Sequence, residues 1–236
     1  MAIKPIMTVE QFIKKLNTAL TTGTVYATGG FGASIAENTD KSKSQLERYY
    51  KNTKENCGTE YANKVLSAAK KSPCFAFDCV GLVKGIIWGW NADKNALYGG
   101  AEYESNGLDD CGAGIGGLIS KCTDVSTDFS KIVAGELLWL NGHVGVYIGD
   151  GMAIECTTAW DDKVQKVECW NVKKTGIGRK WSKHGKLPWV DYSAKPKANS
   201  YSVVIGPFDT RPEASSIQAA LNVLGTWETT IKENSK

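Results

Sequence analysis

Three residue types that together perform acyl transfer recur in this chain at suggestive places: a cysteine at 79, a histidine at 143 and a glutamate at 155. Cys79 opens the stretch CVGLVKGIIWGW, in which Cys79, Leu82, Val83, Ile86, Ile87 and Trp90 follow the spacing of a helix burying an apolar stripe. Asp78, just before it, is a natural N-cap. Cys79 therefore falls in the first helical turn, where unpaired backbone N–H groups and the positive end of the helix dipole gather. Such a position is expected to lower the thiol's pKa and to offer the Cys79 N–H to an oxyanion forming on an attacked carbonyl. The plainer alternative is a buried structural cysteine at a helix start.

The other two residues fall on consecutive strand-like segments, HVGVYIG and MAIECT, joined by Gly149-Asp150-Gly151 and preceded by ELLWL. A three-residue loop at 149–151 sets Ile148 opposite Met152, and hence Glu155 opposite Gly145 and diagonal to His143. Diagonal neighbours lie roughly 7–8 Å apart, within reach of an imidazole and a glutamate, with Gly145 leaving the space between them open. A two-residue loop is expected to send Glu155 to the opposite face. Thus a Cys-His-acid array requires a particular hairpin.

The remaining elements must carry this array. Residues 8–20 form a first helix, capped by Thr8, with Val9, Phe12, Ile13, Leu16 and Leu20 on one face. Val25 and Tyr26 lead into glycines at 29, 30 and 32, where the backbone turns tightly; the Lys-Ser/Thr that completes a phosphate loop is absent. Residues 33–72 are polar with two helical stretches, around Leu46–Tyr50 and around Tyr61–Ala69, and are expected to form a solvated surface insertion. Residues 91–127 are irregular, with one short helix expected at Gly114–Lys121. KVQKVECW and RKWSKHGKLPWVDY add later strands, and His184 in the latter is expected at the surface or at the rim of a substrate site. A linker at 193–199 leads to a β-α-β segment at 200–236, too short to bury much by itself.

Composition narrows the function classes. The chain has 236 residues, 22% of them charged, with a net charge of +3, too mild and too dispersed to argue for nucleic acid. No run approaches the roughly eighteen apolar residues of a membrane span. The N-terminus lacks a signal-peptide pattern, so synthesis in the cytoplasm is expected. Seven cysteines without a CxxC pair point to free thiols, and only two histidines leave little for a histidine-based zinc site.

Taken together, FDCVGL, GHVGVYIGDG and a glutamate twelve positions after His143 resemble the NlpC-type cell-wall cysteine peptidases of the papain-like superfamily, especially phage-encoded endolysins. The resemblance covers residues 8–192, with 33–72 outside the usual pattern. It implies an α+β papain-like domain, N-terminal helices packed on an antiparallel sheet, with Cys79 as nucleophile, His143 as base and acid, and Glu155 orienting the imidazole. The family often has His, Asn or Gln in that third place, so glutamate is a departure. YATGG matches the family's tyrosine before a double glycine, which assigns Tyr26, beside Asp78, to the oxyanion and substrate side; the interval to Cys79 is longer than the family's.

The chemistry so implied is hydrolysis of an amide in bacterial peptidoglycan stem peptides, between D-γ-glutamate and a diamino acid, with no metal or organic cofactor and no membrane or nucleic-acid partner. An N-acetylmuramoyl-L-alanine amidase of CHAP type, a non-catalytic wall-binding protein and a cysteine protease of ordinary proteins are the alternatives. VVIGPFDTRPEASSIQAALNVLG resembles the first half of a SPOR repeat, implying wall binding or a homodimer completed by two such halves. A lysin made without a leader is expected to reach the wall by phage-type release.

Overall fold

The computed structural model describes residues 3–193, with Ser215 alone beyond them. The linker from 194 onward, the SPOR-like segment and the dimer read from it lie outside the described residues. The first half of the chain runs β1 (Met7–Thr8), α1 (Val9–Thr21), β2 (Thr24–Tyr26), β3 (Phe31–Ser34), α2 (Asp40–Cys57), α3 (Thr59–Ala68), β4 (Phe75–Phe77) and α4 (Cys79–Ile87). Apart from three short 3-10 turns, the regular elements that follow are strands: β5 (Thr123–Ser126), β6 (Leu137–Leu140), β7 (His143–Gly149) and β8 (Met152–Thr157), followed by β9 (Lys163–Cys169), β10 (Gly178–Arg179), β11 (Lys183–Lys186) and β12 (Val190–Asp191).

Seven of these strands form one sheet in the order β10-β9-β8-β7-β6-β11-β5, antiparallel throughout except for the edge pair β9–β10. A second sheet, β2-β4-β3, was not expected from the sequence. Its central strand is the three residues Phe75–Phe77, too short to show a period of two before the α4 pattern begins. The short helix expected at Gly114–Lys121 contracts to a 3-10 turn at Leu118–Lys121 behind Gly114, Gly116 and Gly117.

Local chemistry explains the helices. Thr8 Oγ1 accepts from Gln11 N–H at 3.2 Å while Gln11 Oε1 accepts from Thr8 N–H at 2.9 Å, closing a capping box at the start of α1. Every residue of α4 is buried, beyond the single stripe its apolar spacing required. That is possible because Gly81 and Gly85 let its backbone lie directly on the neighbouring chain: a Cβ at Gly81 would stand 1.7 Å from Gly30 O, and one at Gly85 2.3 Å from Phe31 O. The core between α1, α4 and the large sheet holds Phe12, Leu16, Phe77, Leu82, Ile86, Trp88 and Trp189 against Val144, Val146 and Ile154.

The 33–72 segment is largely exposed, as expected, but it is not a free excursion, because one face packs inward. Tyr49, Ala62 and Val65 on α2 and α3 are fully buried, and Tyr49 and Val65 share a second core with Val25, Ala33 and Ala76 of the small sheet. The polar composition misled because a helical hairpin exposes most of its surface; the few apolar positions on its inner face decide where it packs. Thr53 Oγ1 also accepts from Thr28 N–H at 3.0 Å, so the hairpin braces the glycine turn that precedes β3.

Candidate active site

The hairpin that carries His143 and Glu155 reaches the expected register by an unexpected route. Its turn has two residues, Asp150 and Gly151, both at positive φ (52° and 73°), as in the reversed turns that match strand twist. Gly149 pairs with Met152, Tyr147 with Ala153 and Val146 with Ile154, so β7 carries one extra residue between Tyr147 and Gly149. That bulge restores the offset a two-residue loop would have lost. Glu155 accordingly lies beside Gly145: a Cβ built there would be 3.3 Å from Glu155 Cβ. The space over Gly145 is not open, however. It holds the Trp181 indole, which a Cβ on Gly145 would meet at 2.9 Å.

His143 Nε2 is hydrogen-bonded to Glu155 Oε2, and the imidazole stacks on Trp181 with ring centroids 5.6 Å apart and an interplanar angle of 16°. The Glu155 side chain is completely buried, whereas His143 keeps 12% of its side chain exposed. Nδ1 is therefore the imidazole nitrogen left for proton exchange. Neither Trp181 nor the cation beside Glu155, Arg179, was found from sequence. Arg179 Nε lies 3.0 and 3.1 Å from the two Glu155 oxygens. A signal existed only indirectly: a fully buried carboxylate calls for a cation, and Glu155 could be known to be buried only once β8 was placed inside the sheet.

Cys79 arrives at the same place from the other half. Paired residues of β7 and β8 end at Val146 opposite Ile154. Ahead of that point the Val144 N–H is near enough to the Cys79 thiol to pull its pKa down, and Cys156 Sγ donates to Phe77 O at 3.3 Å. The 77–79 segment thus enters where the two strands part. The thiol thus lies near the backbone one residue along from His143.

The helix start does not activate this thiol in the way its position suggested. Burial, followed by the negative charge of Asp78, pushes Cys79 up to about 12, against the opposing pull of N–H groups at Val144, Val80 and Cys79 itself. Desolvation of the thiolate outweighs a few backbone dipoles. Cys79 is 7% exposed, and its raised pKa favours the neutral thiol.

Asp78 is the N-cap expected of it, accepting from Gly81 N–H at 2.6 Å. Its other oxygen accepts from Gly29 N–H at 2.8 Å, tying the glycine turn to the helix start. Burial raises its pKa above the usual carboxylate value despite these bonds. With both oxygens engaged by backbone donors, Asp78 holds loop to helix and has no donor to offer an oxyanion. Tyr26, at the end of β2, is placed within electrostatic reach of Asp78, Cys79, Cys57 and Cys156. Burial first, and those neighbours second, raise its hydroxyl well above the ordinary tyrosine value, so it remains a neutral O–H donor.

His184 is elsewhere and is neither at the surface nor at a rim. It is 3% exposed on β11, between β6 and β5, with Nδ1 2.5 Å from Glu136 Oε2 and Nε2 3.1 Å from Asp128 O. The flanking lysines and glycine suggested exposure, but Lys183 faces out and the alternation of the strand turns the next residue, His184, inward. Among the described residues no group of three or more His, Cys, Asp or Glu side chains could hold a metal ion, and no helix is long and apolar enough to cross a membrane.

No protein-family model matches the sequence, and no curated protein matches it. Among solved structures, the chain is similar to the peptidoglycan hydrolase RipB from Mycobacterium tuberculosis, at 17% identity and a TM-score of 0.39, over 76% of this chain. It spans 64% of the length of RipB. It is also similar to the P60 domain of an antigen from M. avium subspecies paratuberculosis, at 15% identity and a TM-score of 0.37, covering 76% of this chain and 93% of that one.

Proposed function

We propose that the protein is a cysteine hydrolase of NlpC type that cleaves an amide bond in peptidoglycan stem peptides. The observation that carries this reading is the meeting of a helix-start thiol with the first residues of β7, where His143 is held by a buried glutamate. The motif resemblance at FDCVGL and GHVGVYIGDG supplies the substrate class.

The burial that raises the Cys79 pKa favours a general-base mechanism over a preformed thiolate–imidazolium pair. Because Cys79 is protonated at rest, His143 takes the thiol proton at Nδ1 as sulfur attacks the carbonyl carbon. The Cys79 N–H and the Tyr26 hydroxyl face the developing oxyanion. The imidazolium, stabilised by Glu155 at Nε2, gives its proton to the leaving amine, whose C–N bond breaks to leave a thioester. Water, deprotonated by the same imidazole, releases the acyl group and regenerates the thiol. The bond we assign is D-γ-glutamyl to diamino acid, and the action is that of a wall-degrading lysin of the endolysin kind.

Mass spectrometry of fragments released from purified peptidoglycan tests this. New termini at the glutamyl–diamino acid bond with the wild-type chain, absent with Cys79→Ala, are expected. Stem peptides beginning at alanine would replace the endopeptidase by the amidase, and a fragment pattern independent of Cys79 would overturn the mechanism.

A further inference from the structure

The Glu155 side chain has no exposed surface, and a carboxylate so enclosed needs more than the single N–H of a neutral imidazole to remain charged. Arg179 supplies the difference. Its Nε reaches both carboxylate oxygens, at 3.0 and 3.1 Å, and its Nη2 donates to Thr157 Oγ1 at 3.3 Å. The guanidinium carbon lies 5.0 Å from the ring centroid of Trp160 and 5.7 Å from that of Trp181, the indole on which His143 also stacks. Arg179 and His143 thus share one carboxylate and one aromatic ring. The backbone under Arg179 is fixed as well, since β10 pairs with β9 through Arg179 opposite Cys169.

We propose that Arg179 is a positioning residue that keeps Glu155 anionic and thereby holds His143 in the tautomer that can accept the Cys79 proton. The inference rests on Cys79 and His143 being nucleophile and base. An anionic Glu155 can only accept, so Nε2 carries the ring proton and the Nδ1 lone pair is left for the thiol. Were Glu155 protonated, its O–H would donate to Nε2, the ring proton would move to Nδ1, and the lone pair needed by Cys79 would be lost. The other groups facing Glu155 cannot replace the arginine. Thr157 on β8 and Gln165, opposite Glu155 on β9, are uncharged, while Cys156 on β8 is a thiol whose burial holds it protonated.

The test compares the full chain with Arg179→Met and Arg179→Lys. The first readout needs no substrate: the pH dependence of Cys79 alkylation by iodoacetamide, followed by peptide mass spectrometry. The second is the pH profile of kcat/KM on solubilised peptidoglycan. In Arg179→Met the acidic limb of both profiles is expected to move to higher pH by about one unit or more, as loss of an adjacent opposite charge implies, with activity partly recovered in alkali. KM is expected to stay within about threefold, because the residue orients the base and does not bind substrate. Arg179→Lys, keeping the charge but not the two-oxygen contact, should shift both limbs in the same direction by less.

An Arg179→Met profile superimposed on wild type, or lowered equally at every pH, would overturn the proposal. If that variant does not fold, an unshifted Arg179→Lys profile does the same. Shifted alkylation profiles without peptidoglycan cleavage by any form, wild type included, would sink the substrate assignment and leave the role of Arg179 standing.

Discussion

The seven-stranded sheet contains two histidine–glutamate pairs, and they leave their imidazoles in different surroundings. His184 is clamped between Glu136 at Nδ1 and the Asp128 carbonyl at Nε2, with the Phe129 ring 4.9 Å from its own. Both nitrogens face oxygen acceptors, so the imidazole is a cross-brace joining β11 to the segment before β6. His143 spends one nitrogen on Glu155 and keeps the other, at a strand end that meets a cysteine-bearing helix start. The side chains are the same in both pairs. What differs is whether a nitrogen remains available, whether a thiol lies near the same strand end, and whether the carboxylate has its own cation.

The strongest way to break this comparison is to truncate the two histidines in turn. His143→Ala is expected to lower kcat/KM on peptidoglycan fragments by about 10³-fold or more, with the melting temperature little changed, because it removes the proposed base from a partly exposed site. His184→Ala is expected to do the reverse. It leaves Glu136 buried without its partner, at a cost of about 3–5 kcal/mol in stability by denaturant unfolding. The kcat/KM of protein that remains folded is expected within about threefold of wild type. If His184→Ala abolished turnover in folded protein, the division between working pair and brace would fail.

Isosteric removal of the two carboxylates sharpens the same contrast. In Glu155→Gln the side chain can still reach Nε2 but no longer stabilises the imidazolium, and kcat/KM is expected to fall by about 10²-fold or more with KM little changed. Glu136→Gln keeps a neutral hydrogen bond to His184 and is expected to cost only about 1–2 kcal/mol of stability and almost no activity. Equal kinetic losses in the two variants would mean that the Glu155 effect is merely structural.

How much of this could be read beforehand follows from the range over which each feature is decided. The α1 cap at Thr8, the Asp78 cap, the Cys79 helix and the β6-β7-β8 succession depend on residues a few positions apart, and their patterns are plain in the sequence. The placement of Glu155 beside Gly145 followed from counting, although the count assumed a longer loop and the chain achieves the offset with a bulge. Long-range features were not legible. Arg179 meets Glu155 from a two-residue strand twenty-four positions later, and His184 turns inward because β11 lies inside the sheet. The raised Cys79 pKa belongs to this class too, since the number of groups packed around the thiol is a property of the assembled core and not of the helix it starts.

A third buried carboxylate on the sheet offers the mildest test, because it has no histidine at all. Glu168 on β9 accepts from Thr175 Oγ1, Thr175 N–H and Gly176 N–H, each at 2.6 Å, with Lys173 Nζ 3.5 Å away. The Thr175 hydroxyl and the Gly176 N–H are the main influences lowering its pKa to about 2. These bonds fold the 170–177 segment back so that β10, and with it Arg179, lies against β9. A carboxylate depressed in the folded state adds stability that is present above its unfolded value and is lost as pH falls through its folded one. The protection of the 170–177 amides against hydrogen exchange, relative to unfolded amides at the same pH, is therefore expected to hold at pH 5 and to fall as pH approaches about 2. Glu168→Gln should already show the loosened segment at neutral pH, with a fall in melting temperature of about 2–4 °C. It should also lower kcat/KM by about two- to threefold, small because β10 remains paired with β9. If the segment loosened with no change whatever in turnover, Arg179 would not depend on this loop for its position, and its own strand pairing and the two flanking indoles would suffice to hold it.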